Sequence, residues 1–313
     1  MDKRVYGVIG IASIMANWNA DFSGYPKTLT DGRVFGSDKA LKYTMKKMWD
    51  DEGKKVLYIK SMKFSKDKEN EILVPRSLKE RYDYIFGVTE KEEKNSRKVL
   101  QNLMSAVDVK NFGATFAEAN NNIAITGAVQ FGQGFNVYEE SEAQEQQILS
   151  PFRDASEEKE KKKGEAKNST LGTKIVSDEA HYLYPFSINP MAYKELIEFG
   201  VTDGYTKEDY DNFKRTSLVC ATSYATNAKE GCENEFALFV ETTQDTYLPN
   251  LTAYISFQKN SEGNVFIVSC GKLLRELSDR ILSVEIYYNP NTLRLESDIE
   301  KAHIFNILTQ KEV

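Results

Sequence analysis

Lys39, Lys42 and Lys46 fall at i, i+3 and i+7 of SDKALKYTMKKMW, residues 37–49. On a helix, one face carries all three ammonium groups. Leu41, Met45, Met48 and Trp49 fall at i, i+4, i+7 and i+8, an apolar stripe that turns another face to a core. Ser37 is placed to cap this helix, and Asp38 suits the positive end of its dipole. Such a lysine row is either a solvated helix face, which most are, or a grip on an anion, above all a phosphate backbone. The net charge of −6 argues mildly against a nucleic-acid partner. Locally the balance reverses, because Lys27 to Lys66 holds eleven basic and five acidic residues. Fields act over a Debye length of about 10 Å, so the local excess matters more than the total.

Other chemistry is thinly represented. His181 and His303 are the two histidines. His181, in SDEAHYLYPF, has the right side chain for acid–base work, but a lone histidine in a strand is more often a hydrogen-bonded structural residue. GxSxG, HExxH and P-loop motifs are absent. Gly127, Gly132 and Gly134 do not have dinucleotide-binding spacing and read as turn glycines. Asp21, Asp31 and Asp38 would hold a divalent cation only if their loop folded back on itself. Asp31-Gly32 reads better as a turn. Cys220, Cys232 and Cys270 have no CxxC spacing, which points to reduced thiols in a cytosolic protein and away from zinc.

The elements that position these residues follow from pattern. Val5 to Ala16 is apolar but too short to span a bilayer, so 4–15 is expected to be a buried strand. Residues 16–36, rich in Asn, Asp, Gly and Pro, read as a loop before the helix 37–50. A strand is expected over 56–64, helices over 77–86 and 90–107, and short β segments with a hairpin over 108–131. Residues 153–167 carry six basic and five acidic side chains and no large apolar one, which predicts a mobile solvated loop inside an insertion. Strand character returns over 172–189, with helices over 190–200 and 206–226. Strands follow at 236–242, 252–258, 263–269 and 282–288, a helix at 271–280, and a short terminal helix at 297–310. This order predicts an α+β fold of the ferredoxin-like kind, with helices on one face of an antiparallel sheet.

Three blocks carry a family resemblance. ANWNADFSGYPKTLTDGRVFGSDKALKYTMKKMW (16–49) closely resembles the N-terminal signature of the CRISPR-associated Cascade backbone subunit of type I-B systems, the Cas-seven family of the RAMP superfamily. NFGATFAEANNNIAITGAVQFGQG (111–134) is similar to that family's Phe-Gly block and Gly-x-Val-Gln strand, and STLGTKIVSDEAHYLYPFSINP (169–190) to its Leu/Met-Gly block. The resemblance implies one elaborated RRM-like domain over 1–313, an antiparallel palm with a helical finger insertion at 65–107 and a thumb hairpin at 135–175. It implies a non-catalytic subunit that polymerises along CRISPR RNA, with no cofactor or metal. Implied partners are the guide, a target DNA strand through guide pairing, copies of itself, the large subunit, the guide-end-capping subunit and the guide-processing endonuclease. The setting is cytoplasmic antiviral defence, without a membrane.

Carried onto this chain, Lys42 and Lys46 match positions that hold guide phosphates, with Ser37 and Lys39 in support. Gln130 matches the Gly-x-Val-Gln glutamine. Leu171 matches an apolar residue at the thumb base, and Lys174 follows it. The acidic Glu139, Glu140, Glu142 and Glu145 depart from a phosphate-gripping surface. Read from the residues, Asn17, Asn19 and Lys27 precede the helix and are expected to complete the cradle, since backbone contacts position a strand without reading it. Two rivals stand beside this scaffold: a metal-dependent ribonuclease of the type III backbone kind using Asp21, and an interaction module without nucleic acid.

Overall fold

The computed structural model describes residues 1–67, 70–88, 94–118, 120–149 and 171–313. The loop expected at 153–167 lies outside the described residues.

The central strand is β1 (Arg4–Ala16), and its burial is almost continuous. Both of its faces are covered, which is why its sequence is an apolar run and not an alternation. It lies antiparallel between β10 (Leu171–Ile188) and β11 (Cys232–Thr242). Outside β10 come the short β7 (Val129–Phe131) and β8 (Gly134–Asn136), then β2 (Phe35–Gly36). Outside β11 come β14 (Ile281–Tyr288) and, parallel to it, β16 (His303–Asn306). Smaller sheets pair β3 (Met62–Asp67) with β4 (Asn70–Pro75), and β5 (Gly113–Phe116) with β6 (Ile123–Thr126). A third sheet combines β12 (Ile255–Asn260), β13 (Gly263–Val268) and β15 (Leu293–Ser297). The result is a mixed α+β fold rich in antiparallel pairs.

One face of the main sheet packs Ile9, Ile11, Phe186 and Phe239 against helices, chiefly Leu41, Met45 and Trp49 of α1 (Asp38–Asp51). The other face packs Val8, Leu183, Phe236 and Ile286 against Phe266 and Leu274 of the small sheet and a short helix. The first half of β10 leaves the sheet and pairs with β9 (Ala143–Leu149), from Ser177 opposite Ala143 out to Leu171 opposite Leu149. All of β9 is exposed. The two strands therefore form an arm that shares one continuous strand with the core.

Several expectations need correction. Residues 56–61 are not strand. The N–H groups of Leu57 and Tyr58 donate to the buried Asp108 carboxylate at 2.8 Å each, and Arg81 occupies the Val56 carbonyl. The backbone groups a ladder would use are already taken. The stretch expected as one helix over 90–107 contains α3 (Ser96–Ser105), which stops at an extended Ala106 before α4 (Val107–Phe112), so 108–112 is helix and not strand. Residues 206–226 hold α5 (Lys207–Ser217) and then turns. The terminal helix expected at 297–310 does not form. β16 instead lies along β14, with Phe305 stacked on Tyr287 at 4.9 Å. A free sheet edge overrides a weak helical pattern. The stretch 65–107 holds most of the β3–β4 hairpin as well as helices, including α2 (Leu78–Phe86).

His181 is a structural histidine. Its Nδ1 lies 2.9 Å from Glu235 and its Nε2 3.1 Å from Glu179, and its ring stacks on Phe257 at 4.0 Å. It therefore ties the main sheet to the small one. Burial pulls its pKa down, but Glu235 and Glu179 outweigh burial and the net shift is upward. A raised histidine pKa stabilises the fold below the ordinary histidine range, and the contribution fades as pH rises through the folded value. Denaturant unfolding of wild type and His181→Gln should differ more at pH 6 than at pH 9. An equal difference at both pH values would mean that His181 is uncharged in the fold.

Candidate nucleic-acid interface

The loop between β1 and α1 is closed by its own side chains. Asn17 is only 5% exposed. Its Nδ2 donates to the carbonyls of Gly24 at 2.8 Å and Ile175 at 3.1 Å, pinning the loop to the arm. Asn19 Oδ1 accepts from both the N–H and the hydroxyl of Ser37, each at 2.8 Å. Ser37 stands at the N-cap position, but its hydroxyl is turned to Asn19 and makes no cap bond. Asn17, Asn19 and Ser37 thus use their side chains to shape the cradle.

Beneath them, the Trp18 indole N–H donates to the Tyr184 hydroxyl at 2.6 Å, both side chains being buried. Gly36 and Gly134 lie so close to Tyr184 that a Cβ on either would collide with it. Lys229 completes the closure. Its ammonium donates to the carbonyls of Asn17 and Trp18 and sits 5.4 Å from the Trp18 ring. Burial lowers its pKa. The sequence offered no signal for Lys229, because it lies more than two hundred residues from the loop it holds.

On α1, Lys42 and Lys46 converge above the Phe112 ring, at 5.4 and 5.9 Å from its centroid. Lys46 also lies 5.6 Å from the Tyr58 ring. Lys42 pairs with Asp38 at 2.8 Å, and the Asp38 carboxyl is held below its usual range by Lys42 and Gln133 against the opposing effect of burial. Lys46 has no ion pair among the described residues. Burial depresses its pKa, offset in part by the buried Asp108 charge. An ammonium held partly out of water without a carboxylate is a ready site for a phosphate oxygen. Lys39, one turn before Lys42 on α1, is exposed.

The remaining candidates are dispersed. Lys27 is half-buried in the loop, and its backbone joins Asn19 to Phe35. Gln130 lies on the exposed side of β7, donates to the Gly127 carbonyl at 2.8 Å, and lines a cavity of about 330 Å³ with Tyr6 and Ser187. Lys174 sits on the arm opposite Gln146, and the Leu171 backbone ends the described arm. The three aspartates do not gather. Asp21 Oδ1 accepts from the Ser23 N–H, the Ser23 hydroxyl and the Tyr25 N–H, Asp31 pairs with Arg33, and Asp38 with Lys42. No cluster of three potential metal ligands occurs among the described residues. The three cysteines are free and buried, and no described helix is long and apolar enough to cross a membrane.

Tyr184→Phe removes the acceptor for the Trp18 indole and leaves a buried donor unpaired, which costs about 1–3 kcal/mol. Thermal melting of this variant should fall by several degrees, and by more for Gly36→Ala, which forces Tyr184 to move. An unchanged melting point in both would show that the pair does not hold the loop.

The family model for CRISPR-associated protein Cas7 matches residues 3–282. No curated protein matches the chain. Among solved structures, a chain of a pre-nicking CRISPR RNA-guided surveillance complex is 15% identical over 98% of this chain and 97% of its own length, with a TM-score of 0.57. A chain of another CRISPR RNA-guided surveillance complex is 14% identical over 91% and 90%, with a TM-score of 0.49. The first of these likenesses extends over the main sheet, the arm and the helices alike and is one of fold, whereas the match of the family model spans the loop, α1 and the arm in sequence: the chain belongs to the CRISPR-associated Cas7 family.

Proposed function

We propose that this chain is a non-catalytic backbone subunit of a type I-B Cascade that polymerises along CRISPR RNA in the cytoplasm. One observation carries the reading: Lys42 and Lys46 converge over Phe112 on the helix that the family's first block contains. Lys39 and Lys27 flank them as further phosphate contacts, while Asn17, Asn19 and Ser37 shape the loop. Gln130, Leu171 and Lys174 follow the same strand of RNA along β7 and the arm. Contacts of this kind hold a backbone in register and leave its bases free to pair with a target DNA strand.

The whole chain, 1–313, is one RRM-like palm with the finger insertion at 65–107 and the thumb at 135–175. The order β11–β1–β10–β8 supports the ferredoxin-like reading, since two strand–helix–strand units interleave in that order. Partners are the guide, further copies of the chain, the large subunit, the guide-end-capping subunit and the guide-processing endonuclease. The ribonuclease reading is less favoured, because the Asp21 carboxylate already accepts three donors within its own turn.

Lys42→Glu with Lys46→Glu should abolish RNA co-purification with the guide-processing partners while leaving the melting point within a few degrees of wild type. Neutral Lys42→Gln with Lys46→Gln should reduce the slope of log affinity against log salt by about 1.4, from two single-strand phosphate contacts at about 0.7 each. Full RNA occupancy in the double glutamate variant would remove these lysines from the interface.

A further inference from the structure

The loop between β1 and α1 carries a tip that its cradle does not use. Phe22 is fully exposed and stands on a closed turn. A bridge between Ala20 and Pro26 shuts this turn, and the Asp21 N–H donates to the Tyr25 carbonyl at 2.8 Å. Asp21 Oδ1 accepts from Ser23 and Tyr25 inside it, and Gly24, at a φ of 91°, permits the reversal. Scattered apolar side chains are ordinary on a surface. A phenyl ring on a closed turn is different: the backbone that presents it is already ordered, which lowers the cost of binding.

A matching socket lies at the other end of β1. A cavity of about 330 Å³ opens where Tyr6 of β1, Phe131 of β7 and Phe186 of β10 meet Leu248 and Pro249. About 150 Å³ suffices for a benzene ring, so this cavity takes a phenylalanine side chain with part of its turn. The rim is cationic. Arg4, on the same face of β1 as Tyr6, lies 5.0 Å over the ring of Tyr247, the neighbour of Leu248. The tip is anionic. Asp21 precedes Phe22, and its three donors all bind Oδ1, which leaves Oδ2 to a further donor. The tip does not reach the socket of its own copy. Asp21 and Ser23 sit beside Glu142 and Ser177 at the base of the arm, and Ser177 pairs with Ala16. Tyr6 lies ten residues back along β1, about 33 Å away in an extended strand.

We infer that Phe22 is a knob that enters the cavity between Tyr6, Phe186 and Leu248 of the next copy along the guide, with Asp21 meeting Arg4 at its rim. The inference rests on the polymerising reading above and names the surfaces that join the copies. Knob and socket occupy opposite ends of one strand, so the contact is heterologous. Each copy offers its knob to one neighbour and its socket to the other. Such a contact does not close as a two-fold pair. It propagates a row of copies that all point the same way, as a single strand with a polarity requires.

Cross-linking between single-site variants tests this directly. Positions 22 and 249 are exposed, and the three native cysteines are buried. Copies carrying Phe22→Cys are mixed with copies carrying Pro249→Cys, assembled with guide RNA, treated with a short bismaleimide and run on a denaturing gel. The mixture should give a cross-linked dimer, and each variant alone none. Cross-linking of Phe22→Cys copies to one another would mean a two-fold contact and overturn the proposal. A mixture that assembles to full size without a cross-link would overturn it too, and leave the RNA-binding reading standing. In parallel, Phe22→Ser should melt like wild type and bind an oligonucleotide that accommodates one copy like wild type. On a full-length guide it should assemble about tenfold more weakly, as the loss of one buried aromatic predicts. Equal weakening on both RNAs would make Phe22 an RNA contact and overturn the proposal. Failure of wild type to bind either RNA would instead overturn the reading on which the inference rests.

Discussion

The buried bond from Trp18 to Tyr184 is the constraint on which the interface depends. Tyr184 belongs to β10, the strand shared by the core and the arm, and Trp18 opens the loop that leads to α1. Their contact fixes where the loop leaves the sheet. Gly36 and Gly134 exist as glycines at this point because Tyr184 fills the space a side chain would need. Once the loop is seated, Asn19 and Ser37 set the start of α1, and Lys42 and Lys46 follow as rigid consequences of helical geometry. Preorganisation of this kind lowers the ordering entropy that binding would otherwise cost.

The electrostatic arrangement is more restrained than the excess of lysines implies. Arg33, Lys42, Lys47, Lys54 and Lys63 each already have a carboxylate partner. Exposed pairs of this type are weak and exchange readily for a stronger anion. Lys46 and Lys229 differ, since aromatic rings, carbonyls and a distant buried carboxylate surround them in place of a direct ion pair. A protein of net charge −6 can therefore present a local cationic cradle whose strongest positions are partly desolvated.

Much of this was legible in the sequence, for physical reasons. β1 and β10 carry long apolar stretches because the sheet is covered on both faces. The two faces of α1 were visible because helical periodicity is local. The role of His181 followed from its isolation in a strand. What escaped depends on partners far away in the chain. Residues 56–61 lose their strand to Asp108, fifty residues on. The last segment becomes a strand only because β14 offers it an edge. Ser37 sits where a cap belongs, yet Asn19 takes its hydroxyl, and Asn17 turns inward to the arm. Periodicity reveals which face a residue occupies; it cannot reveal which distant group will claim its hydrogen bonds.

The most direct test of the account is lysine-selective acylation read by mass spectrometry, on the free protein and on the protein assembled with guide RNA. RNA should protect Lys39, Lys42 and Lys46, while Lys207, an exposed lysine on α5, labels equally in both states. Equal labelling of Lys42 and Lys46 with and without bound RNA would contradict it, and α1 would then be an ordinary solvated helix on a protein that holds its guide elsewhere.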